Sequence, residues 1–361
     1  MKKLLIDLSN YGAITNGFGQ IAKNYAHYFV KAKKQGRLDC ELLFLLPPKC
    51  DDIQLLQSEY VTCVQPNKTI GRWLGINLPK VDVWHSVNQQ QRMRRITSNT
   101  KFIFTIHDFN FLTEKSPSKA AMYLARMQHR VDQASVVTAI SEYTANVVRQ
   151  HVNLRGKDVQ VIYNGVEDLT HLPATAPAFA TGRKFFFAMG QCRRKKNFHL
   201  LLDVMKSFPE YDLYICGQPS RLDYVEEIKS HIEAEHITNA KYVGRVTEDE
   251  RVWLFKNCSA YLFPSIGEGF GLPMIEAMQF GKPVFISKAT CLPEISAGHA
   301  FVWEDLNTDA MVSVIKQNLD RFYADNAMQQ AAIKHASNFS YDKHINSYIE
   351  IYNRLLADNY K

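Results

Sequence analysis

Two acidic residues flank a glycine-rich stretch in the second half of the chain. Residues 264–283 read PSIGEGFGLPMIEAMQFGKP, which places Glu268 and Glu276 eight positions apart. Gly269 and Gly271 lie between them, and the proline that follows suits the first turn of a helix. Glycines free the backbone to expose its N–H groups, and the amino end of a helix attracts anions. The stretch therefore predicts an anion site, suited to a diphosphate, where a strand passes into a helix.

Each part of this stretch has a chemical task if the anion is a diphosphate. We expect backbone N–H groups to hold it, contributed by Gly269, Phe270, Gly271 and Leu272. Glu276, in the first or second turn of the helix, can reach outward and accept two hydrogen bonds from a vicinal diol such as that of a ribose. Glu268 would meet the group attached beyond the phosphates. These parts together describe a nucleoside diphosphate that carries a sugar.

Two other interpretations of the acids remain open at this point. Glu276 can simply stabilise the dipole of the helix in which it lies. The two acids can also form the carboxyl pair of a glycosidase, which needs its carboxyl groups about 5–9.5 Å apart across one bond. We favour the nucleotide interpretation, because a glycosidase would leave the glycines and the helix end without a role.

Four basic residues follow an apolar strand in the segment FFFAMGQCRRKKNFHLLLDV, residues 185–204. Gly190 ends the strand, and the cations follow it as Arg193, Arg194, Lys195 and Lys196. Clustered cations at the end of a strand can neutralise a diphosphate and assist its departure as a leaving group. The alternative is a solvated basic loop without a ligand.

The first half holds a histidine and a glycine-rich loop at comparable places. His107 lies just past the carboxyl end of the strand expected at 102–106; an isolated histidine there is more often structural. Gly17 and Gly19 belong to the segment GFGQIA, which is a poor match to the dinucleotide-binding fingerprint. The first strand ends near Ser9, too far from Gly17 for the tight turn that the fingerprint requires.

Short apolar strands alternate with helical stretches along nearly the whole chain. The strands expected in the first half are 4–9, 42–46, 81–85, 102–106, 136–140 and 159–163, and those in the second half are 184–189, 211–216, 260–264, 283–287 and 300–303. Runs this apolar, separated by segments of helical period, are typical of parallel sheets covered on both faces. A helix over 248–257 is predicted with Thr247 as its cap and Glu250 as the reciprocal partner.

The length of 361 residues suits two domains. We expect an α/β fold with an acceptor-binding domain over 1–170 and a nucleotide-sugar-binding domain over 183–339. The segment 171–182, rich in Pro, Ala and Thr, is interpreted as the linker. The last helix, within 340–361, is expected to pack back on the first domain.

Charge is uneven along the chain. The net charge is +7, and residues 1–175 hold 22 basic and 14 acidic residues, whereas residues 176–361 hold 21 and 22. The basic residues of the first half include Lys31, Lys33, Lys34, Arg37, Arg92, Arg94 and Arg95. Such a surface can face anionic lipid, an anionic acceptor or nucleic acid, or can merely be solvated.

Cysteine usage and hydropathy indicate the compartment. Seven cysteines are scattered without a C-x-x-C pair, which argues against a disulfide framework or a zinc site and favours a reducing cytosol. No apolar run approaches the ~20 residues that span a bilayer. We therefore expect a cytoplasmic protein, with the inner face of the cell membrane as a place of peripheral contact.

The stretch 264–284 resembles the E-x7-E region of the retaining glycosyltransferases of family 4, which have the GT-B fold. Both the spacing of the acids and the letters around them match. The resemblance covers nearly the whole chain, most strongly at 185–295, less at 102–167 and weakly at 47–100. It implies two Rossmann-like, doubly wound parallel-sheet domains that face each other across a cleft. The weakly matching region should contribute to the acceptor pocket.

The resemblance also implies roles for single residues. Family members bind the donor phosphates with an Arg-Lys-Asn sequence; here Lys195 replaces the Arg and Lys196 matches the Lys. Lys is a point charge where Arg is a fork, so Arg193 or Arg194 can share the role. The histidine of the family, here His107, contacts the transferred sugar near its reacting carbon.

Three further residues receive roles by resemblance alone. The glycine-rich loop of the family approaches the donor phosphate and the acceptor, which assigns Gly17 and Gly19 to the donor site. Glu294 lies where the family has a loop near the nucleotide and is a further candidate. Of all these residues, His107, Lys196 and Glu268 are those expected to act in catalysis.

The sequence thus leads us to expect a retaining hexosyltransferase that needs no metal and no cofactor. It would move mannose, glucose, galactose or N-acetylhexosamine from a UDP- or GDP-sugar to a hydroxyl of a glycan or glycolipid, in synthesis of a cell-surface polysaccharide or lipopolysaccharide. No apolar strand ends in an Asp-x-Asp pair that would carry a divalent metal. In the family, the leaving phosphate takes the proton of the acceptor.

Two rival functions remain. One is a nucleotide-sugar epimerase or phosphorylase on the same fold, since fold does not determine function. The other is a nucleic-acid-binding protein that uses the basic first half. The sequence holds no helix-turn-helix, zinc finger or RNA-binding aromatic motif, so we expect no nucleic-acid partner.

Overall fold

The computed structural model describes residues 1–12, 17–48, 50, 56–65, 78–89, 99–220 and 222–357. These residues form two compact units. The first comprises Met1–Gly165 together with Tyr341–Lys361, and the second comprises Val166–Ser340. Arg92, Arg94 and Arg95 of the expected basic surface lie outside the described residues.

A parallel sheet runs through the first unit. Its strands are β1 (Lys3–Asp7), β2 (Glu41–Leu45), β3 (Thr62–Val64), β4 (Val83–Ser86), β5 (Lys101–Ile106), β6 (Val136–Ala139) and β7 (Val159–Val161). They lie in the order β3-β2-β1-β4-β5-β6-β7, and each neighbouring pair is parallel. The order reverses between β1 and β4, which is the mark of a doubly wound sheet.

Helices cover both faces of this sheet. The described ones are α1 (Gly17–Lys34), α2 (Phe111–Glu114), α3 (Pro117–Gln133), α4 (Glu142–His151) and the C-terminal α12 (Tyr341–Ala357). In β1, Leu4 packs in the core beneath α1 and α12, whereas Leu5 packs on the opposite face with residues of α3 and α4. Neighbouring side chains of a strand point to opposite faces, so an unbroken apolar strand fills both layers.

The C-terminal helix α12 docks on this sheet through buried polar groups as well as apolar ones. The Nδ1–H of His344 donates to the Tyr163 carbonyl at 2.6 Å, and Nε2 accepts from the Tyr25 hydroxyl at 2.7 Å. The Tyr352 hydroxyl lies 2.6 Å from Nδ1 of His85 on β4. Burial lowers the pKa of His344 to about 4, so the ring stays neutral at physiological pH.

The second unit repeats the plan with a smaller sheet. Its strands are β8 (Phe185–Met189), β9 (Asp212–Cys216), β10 (Ala240–Gly244), β11 (Ala260–Phe263), β12 (Val284–Ser287) and β13 (Phe301–Trp303). They are parallel, in the order β10-β9-β8-β11-β12-β13, and the order reverses between β8 and β11. The predicted α/β class, with two Rossmann-like doubly wound parallel sheets, is therefore confirmed.

The described helices of this unit are α5 (Leu200–Met205), α6 (Leu222–Ala234), α7 (Glu248–Asn257), α8 (Leu272–Gln279), α9 (Leu292–Ser296), α10 (Thr308–Ala324) and α11 (Asn326–Ala336). Adjacent residues of β8 again serve both faces: Phe186 lies in the core with α5, and Phe187 contacts Phe255 of α7 edge-on. Helix α7 begins as predicted, with a complete capping box between Thr247 and Glu250.

The segment 171–182, predicted as a linker, lies within the second unit. The N–H of Thr175 donates to the Asp249 carbonyl at 3.1 Å, and the Thr181 hydroxyl donates to the Asp212 carboxylate at 2.6 Å. Its composition favours extended structure, but these polar contacts tie it to the body of the unit. The boundary between the units accordingly falls earlier, at residues 165 and 166.

Candidate functional site

Two loops meet where the order of the second sheet reverses. The first, residues 190–197, follows β8, and the second, residues 264–271, follows β11 and leads into α8. Open α/β sheets bind ligands outside the carboxyl ends of their strands at this kind of reversal. We call the two segments the basic loop and the glycine loop.

The basic loop and the glycine loop are tied together by hydrogen bonds to the main chain. The Lys195 carbonyl accepts from the Ile266 N–H at 2.8 Å. The side-chain amide of Asn197 donates to the Pro264 carbonyl at 3.2 Å. The loops therefore form one structure, and a change in either one shifts the other.

Two of the residues predicted to act in catalysis form an ion pair. The Lys196 ammonium contacts Oε1 of Glu268, and the two side chains are only 10% and 13% exposed. The Ser265 hydroxyl donates to the same oxygen, and the ammonium lies 4.8 Å from the centre of the Phe263 ring. Both residues are expected from the sequence to meet the donor, but their spacing does not reveal that they pair with each other.

Gly217, which was not predicted to belong to the site, packs against Gly190 next to Lys196. Gly217 follows β9 with φ of +138°, and a Cβ there would stand 1.8 Å from the carbonyl oxygen of Gly190. Gly190 itself lies against the Lys196 side chain, 3.1 Å from its Cε if it carried a Cβ. The two strand ends can touch only because Gly217 lacks a side chain.

The glycine loop presents the amino end of α8 without a side-chain cap. Gly271 has φ of +96°, and a Cβ there would come within 2.8 Å of Leu292. Among the described residues, the backbone N–H groups of Gly269, Gly271 and Leu272 find no acceptor. Such groups at a helix amino end form an anion site. Phe270 is buried and packs edge-on against Phe339, 5.5 Å away, which anchors the loop.

Glu276 differs from its expected outward orientation. It lies in the second turn of α8, where its side chain is 9% exposed and Oε1 accepts from Nη1 of Arg251 on α7 at 2.9 Å. Burial raises the pKa of its carboxyl group, and the charge of Arg251 opposes that rise. Sequence spacing could not foresee this pair, because the arginine lies 25 positions away on another helix. Its role as the ribose ligand stays a prediction.

The other cations of the basic loop are distributed differently from Lys196. Arg194 is 71% exposed and pairs through both terminal nitrogens with Glu227 of α6. Arg193 and Lys195 are half-buried on the same loop. Glu294 lies in the first turn of α9, whose preceding residue Cys291 contacts the Glu268 carbonyl. Their donor-binding roles stay predictions.

The remaining candidates lie in the first unit. His107 follows β5 and is buried; its Nε2–H donates to the Val87 carbonyl at 2.7 Å, and burial lowers its pKa. The ring is therefore neutral, and its Nδ1 makes no hydrogen bond with the described part of the chain. Phe18 of α1 contacts the ring edge-on at 5.0 Å. Gly17 and Gly19 lie in the first turn of α1, next to that phenylalanine.

Within the described ranges, no three His, Cys, Asp or Glu side chains are grouped as metal ligands. None of the described helices is long and apolar enough to cross a membrane.

Comparison of the whole chain with solved structures places the two units in a known architecture. Sucrose-phosphate synthase from Thermosynechococcus elongatus superposes with a TM-score of 0.75 at 15% identity, covering 99% of this chain and 100% of that one. Together with the two doubly wound parallel sheets, this similarity defines a protein of the GT-B class.

The sequence matches give the family. Residues 175–339 match the family described as Glycosyl transferases group 1, and residues 67–168 match Glycosyltransferase Family 4. Both matches are to glycosyltransferase families, in agreement with the resemblance found in the sequence. The first match contains both loops of the site and all of α8.

Two bacterial proteins are similar to this chain in sequence. The uncharacterized 41.2 kDa protein of the cps region of Klebsiella pneumoniae is 27% identical over 267 residues, 70% of each chain. The O-antigen chain mannosyltransferase B of Escherichia coli is 24% identical over 234 residues, which is 60% of this chain and 61% of that protein. This chain thus spans less than two thirds of the length of that mannosyltransferase.

Proposed function

We propose that the protein transfers a hexose from a nucleoside diphosphate to a hydroxyl of a glycolipid or polysaccharide, with retention of the anomeric configuration. One observation carries the proposal: Lys196, the acid Glu268 and the uncapped amino end of α8 adjoin one another at the reversal point of the second sheet. A cation beside free amides suits a diphosphate. An acid beside them suits the hydroxyls of a sugar.

The proposed reaction uses these groups to stabilise the leaving group. The bond between the anomeric carbon and the phosphate oxygen breaks, and the nucleoside diphosphate gains negative charge. Lys196 and the amides of the glycine loop neutralise that charge. The acceptor hydroxyl attacks the anomeric carbon from the same face, and its proton passes to the departing phosphate oxygen. The configuration is therefore retained.

In this proposal the two candidate acids bind different parts of the donor. Glu276 receives the ribose diol, and Glu268 receives hydroxyls of the transferred hexose. His107, as a neutral ring whose Nε2–H is engaged by Val87, can accept a hydrogen bond from a hydroxyl at Nδ1. It is suited to binding a sugar rather than to carrying a charge.

The nature of the acceptor is supported by a relative rather than by geometry. The E. coli relative is named an O-antigen chain mannosyltransferase. We therefore propose that the glycan is a cell-surface polysaccharide and that mannose is the first sugar to test, from GDP- or UDP-linked donors. We also propose that the reaction needs no divalent metal, because Lys196 and the helix amides supply the positive charge.

The test is donor binding followed by transfer. UDP, GDP and their sugars are screened for protection against thermal unfolding, since a ligand that binds only the folded state raises the melting temperature. Glu276→Ala should weaken binding of the protecting nucleotide by about 10–150-fold, the value of one charge-assisted hydrogen bond. Lys196→Ala should lower transfer by about 100-fold or more. If no sugar nucleotide protects the protein, the proposed function is wrong.

Peripheral membrane contact is a separate part of the proposal, and helix α3 supports it. Met122 and Tyr123 are 41% and 38% exposed on this helix. Lys119 and Arg126 stand exposed beside them, with the guanidinium of Arg126 5.8 Å from the centre of the Tyr123 ring. An apolar pair flanked by cations suits an anionic lipid surface.

Sedimentation with vesicles tests this surface. The protein should bind vesicles that contain anionic lipid and not those of neutral lipid alone. Lys119→Glu combined with Arg126→Glu should abolish binding without lowering transfer to a water-soluble acceptor. Undiminished binding by that variant would contradict the assignment of α3.

By contrast, the basic end of α1 is partly neutralised within the protein. Lys31 pairs with Asp342 of α12 at 2.9 Å, and Arg37 also reaches Asp342, at 3.6 Å. Two cations of the expected basic surface thus pair with a carboxylate of the C-terminal helix.

A further inference from the structure

Arg251 has an unusual place for an arginine on a helix that flanks the site. It lies on α7, its side chain is 16% exposed, and its two terminal nitrogens reach in different directions. Nη1 donates to Oε1 of Glu276 at 2.9 Å, and Nη2 donates to Oε1 of Glu248, one turn earlier on its own helix, at 2.7 Å. Glu248 thus orients the guanidinium, which in turn binds Glu276.

The pair uses only half of the Glu276 carboxylate. Oε1 accepts the hydrogen bond from Arg251, whereas Oε2 accepts none from the part of the chain that the structure describes. A carboxylate with one oxygen fixed cannot turn freely, so the direction of the second oxygen is set as well. That oxygen is available to a ligand hydroxyl.

The charges around Glu276 give Arg251 a second effect. Burial raises the pKa of the Glu276 carboxyl group, the Arg251 guanidinium opposes the rise, and the carboxylates of Glu167 and Glu248 add to it. Burial and, after it, the charge of Glu276 raise the pKa of the Tyr261 hydroxyl on β11, so this hydroxyl is neutral. Without Arg251, burial and two like charges would favour the protonated acid, which is a weaker acceptor.

We propose that Arg251 is a positioning residue for donor binding: it fixes the Glu276 carboxylate so that Oε2 receives a ribose hydroxyl. The inference rests on the proposed function, because it assumes that the site takes a nucleoside diphosphate. Arg251 does not itself touch the ligand in this proposal; it acts through Glu276. The opposing interpretation is that the pair merely fastens α7 to α8.

A ligand that lacks the diol separates these interpretations. Binding of UDP and GDP, and of their 2′,3′-dideoxy counterparts, is measured by calorimetry for the unsubstituted protein, Arg251→Gln and Arg251→Lys. Arg183→Gln is the matched control, because Arg183 also pairs with a buried carboxylate, that of Asp212, but at the opposite, amino end of the sheet. Melting temperatures monitor folding.

The expected result is a loss that depends on the diol. Arg251→Gln should bind the complete nucleotide about 10-fold more weakly than the unsubstituted protein does at pH 7. Its affinity for the dideoxy nucleotide should equal that of the unsubstituted protein. The 10-fold loss should grow as the pH falls from 8 to 6. Arg251→Lys, which keeps one charge but not the fork, should recover part of the affinity. Arg183→Gln should bind both nucleotides normally.

Other results would overturn the inference. Equal losses for the complete and the dideoxy nucleotide mean that the pair is only a fastening between helices, and no loss means that Arg251 is not needed. If the unsubstituted protein binds both nucleotides equally, there is no diol contact for Arg251 to support. If it binds no nucleotide at all, the proposed function itself fails, which is a distinct result. Should Arg251→Gln not fold, Arg251→Lys retains the charge, and its diol dependence decides.

Discussion

Replacing Glu268 by glutamine should tighten the binding of a nucleoside diphosphate and, at the same time, reduce transfer. In the structure the Glu268 carboxylate contacts the Lys196 ammonium, the group that is proposed to bind the diphosphate. A diphosphate must either displace this carboxylate or bind beside its negative charge. Glutamine has nearly the same shape but no charge, so both costs disappear.

The size of the effect follows from the burial of the pair. Two unit charges about 4 Å apart interact by roughly 4 kcal/mol at an effective dielectric constant of 20. The full amount is not lost when a diphosphate displaces Glu268, because the Lys196 ammonium gains the diphosphate as its new partner. A net gain equal to one charge-assisted hydrogen bond, about 1.5–3 kcal/mol, corresponds to about 10–150-fold tighter binding. The free energy of unfolding of the ligand-free variant should fall, because Lys196 then lacks its counter-charge.

The assay is calorimetry with UDP and GDP at two salt concentrations, together with transfer from the corresponding sugar nucleotide. The sugar-free nucleotide isolates the diphosphate contact, whereas transfer reports the loss of the hexose contact. Glu235→Gln is the control for net charge, because Glu235 pairs with Lys206 on the surface of the same unit, with side chains 53% and 44% exposed.

An unchanged or weaker affinity of Glu268→Gln for the nucleotide would refute the reasoning. Lys196 would then not be the diphosphate ligand, or Glu268 would not compete for it. Tighter binding by Glu235→Gln to the same degree would assign the effect to overall charge instead.

Three further predictions concern the frame around the site. Gly217→Ala should lower the melting temperature by roughly 2–12 °C, because the substitution adds backbone strain of about 1–3 kcal/mol and a Cβ 1.8 Å from the Gly190 carbonyl oxygen. A melting temperature close to that of the unsubstituted protein would contradict the packing described. Acidification from pH 6.5 to 4 should destabilise the first unit by about 3 kcal/mol through His344. The pKa of His344 in the folded protein, about 4, lies below its ordinary value, so the unfolded chain takes up the proton first. His344→Gln should therefore flatten the measured dependence of the free energy of unfolding on pH. Treatment with EDTA should leave transfer unchanged, and a rate that is lost and then restored by Mg²⁺ would refute metal independence.

The interior strands were predictable because each is a short apolar run between helical segments. β3 and β10, in contrast, were not predicted. Both are edge strands with a single neighbour, and their residues are largely half-buried or exposed, as in Thr62–Val64. Edge position alone is not the reason, because the edge strands β7 and β13 were predicted. β3 and β10 differ in offering few buried residues to a sequence pattern.

Helix ends depend on local contacts and were read correctly where those contacts are close in sequence. Thr247 and Glu250 form the predicted capping box. The glycine loop was placed correctly at the amino end of α8 for the same reason. Its glycines, its proline and the strand before it all act within ten residues.

What the sequence determined by itself was the kind of groups available: two acids, a basic loop and a glycine-rich helix start, on an alternating α/β pattern. Only the tertiary structure decided which charges neutralise one another. Lys196 meets Glu268 across 72 positions, Glu276 meets Arg251 of another helix, and Gly217 makes room for Gly190. Pairing of charges depends on distance in space and on burial, and neither is encoded in the spacing of residues along the chain.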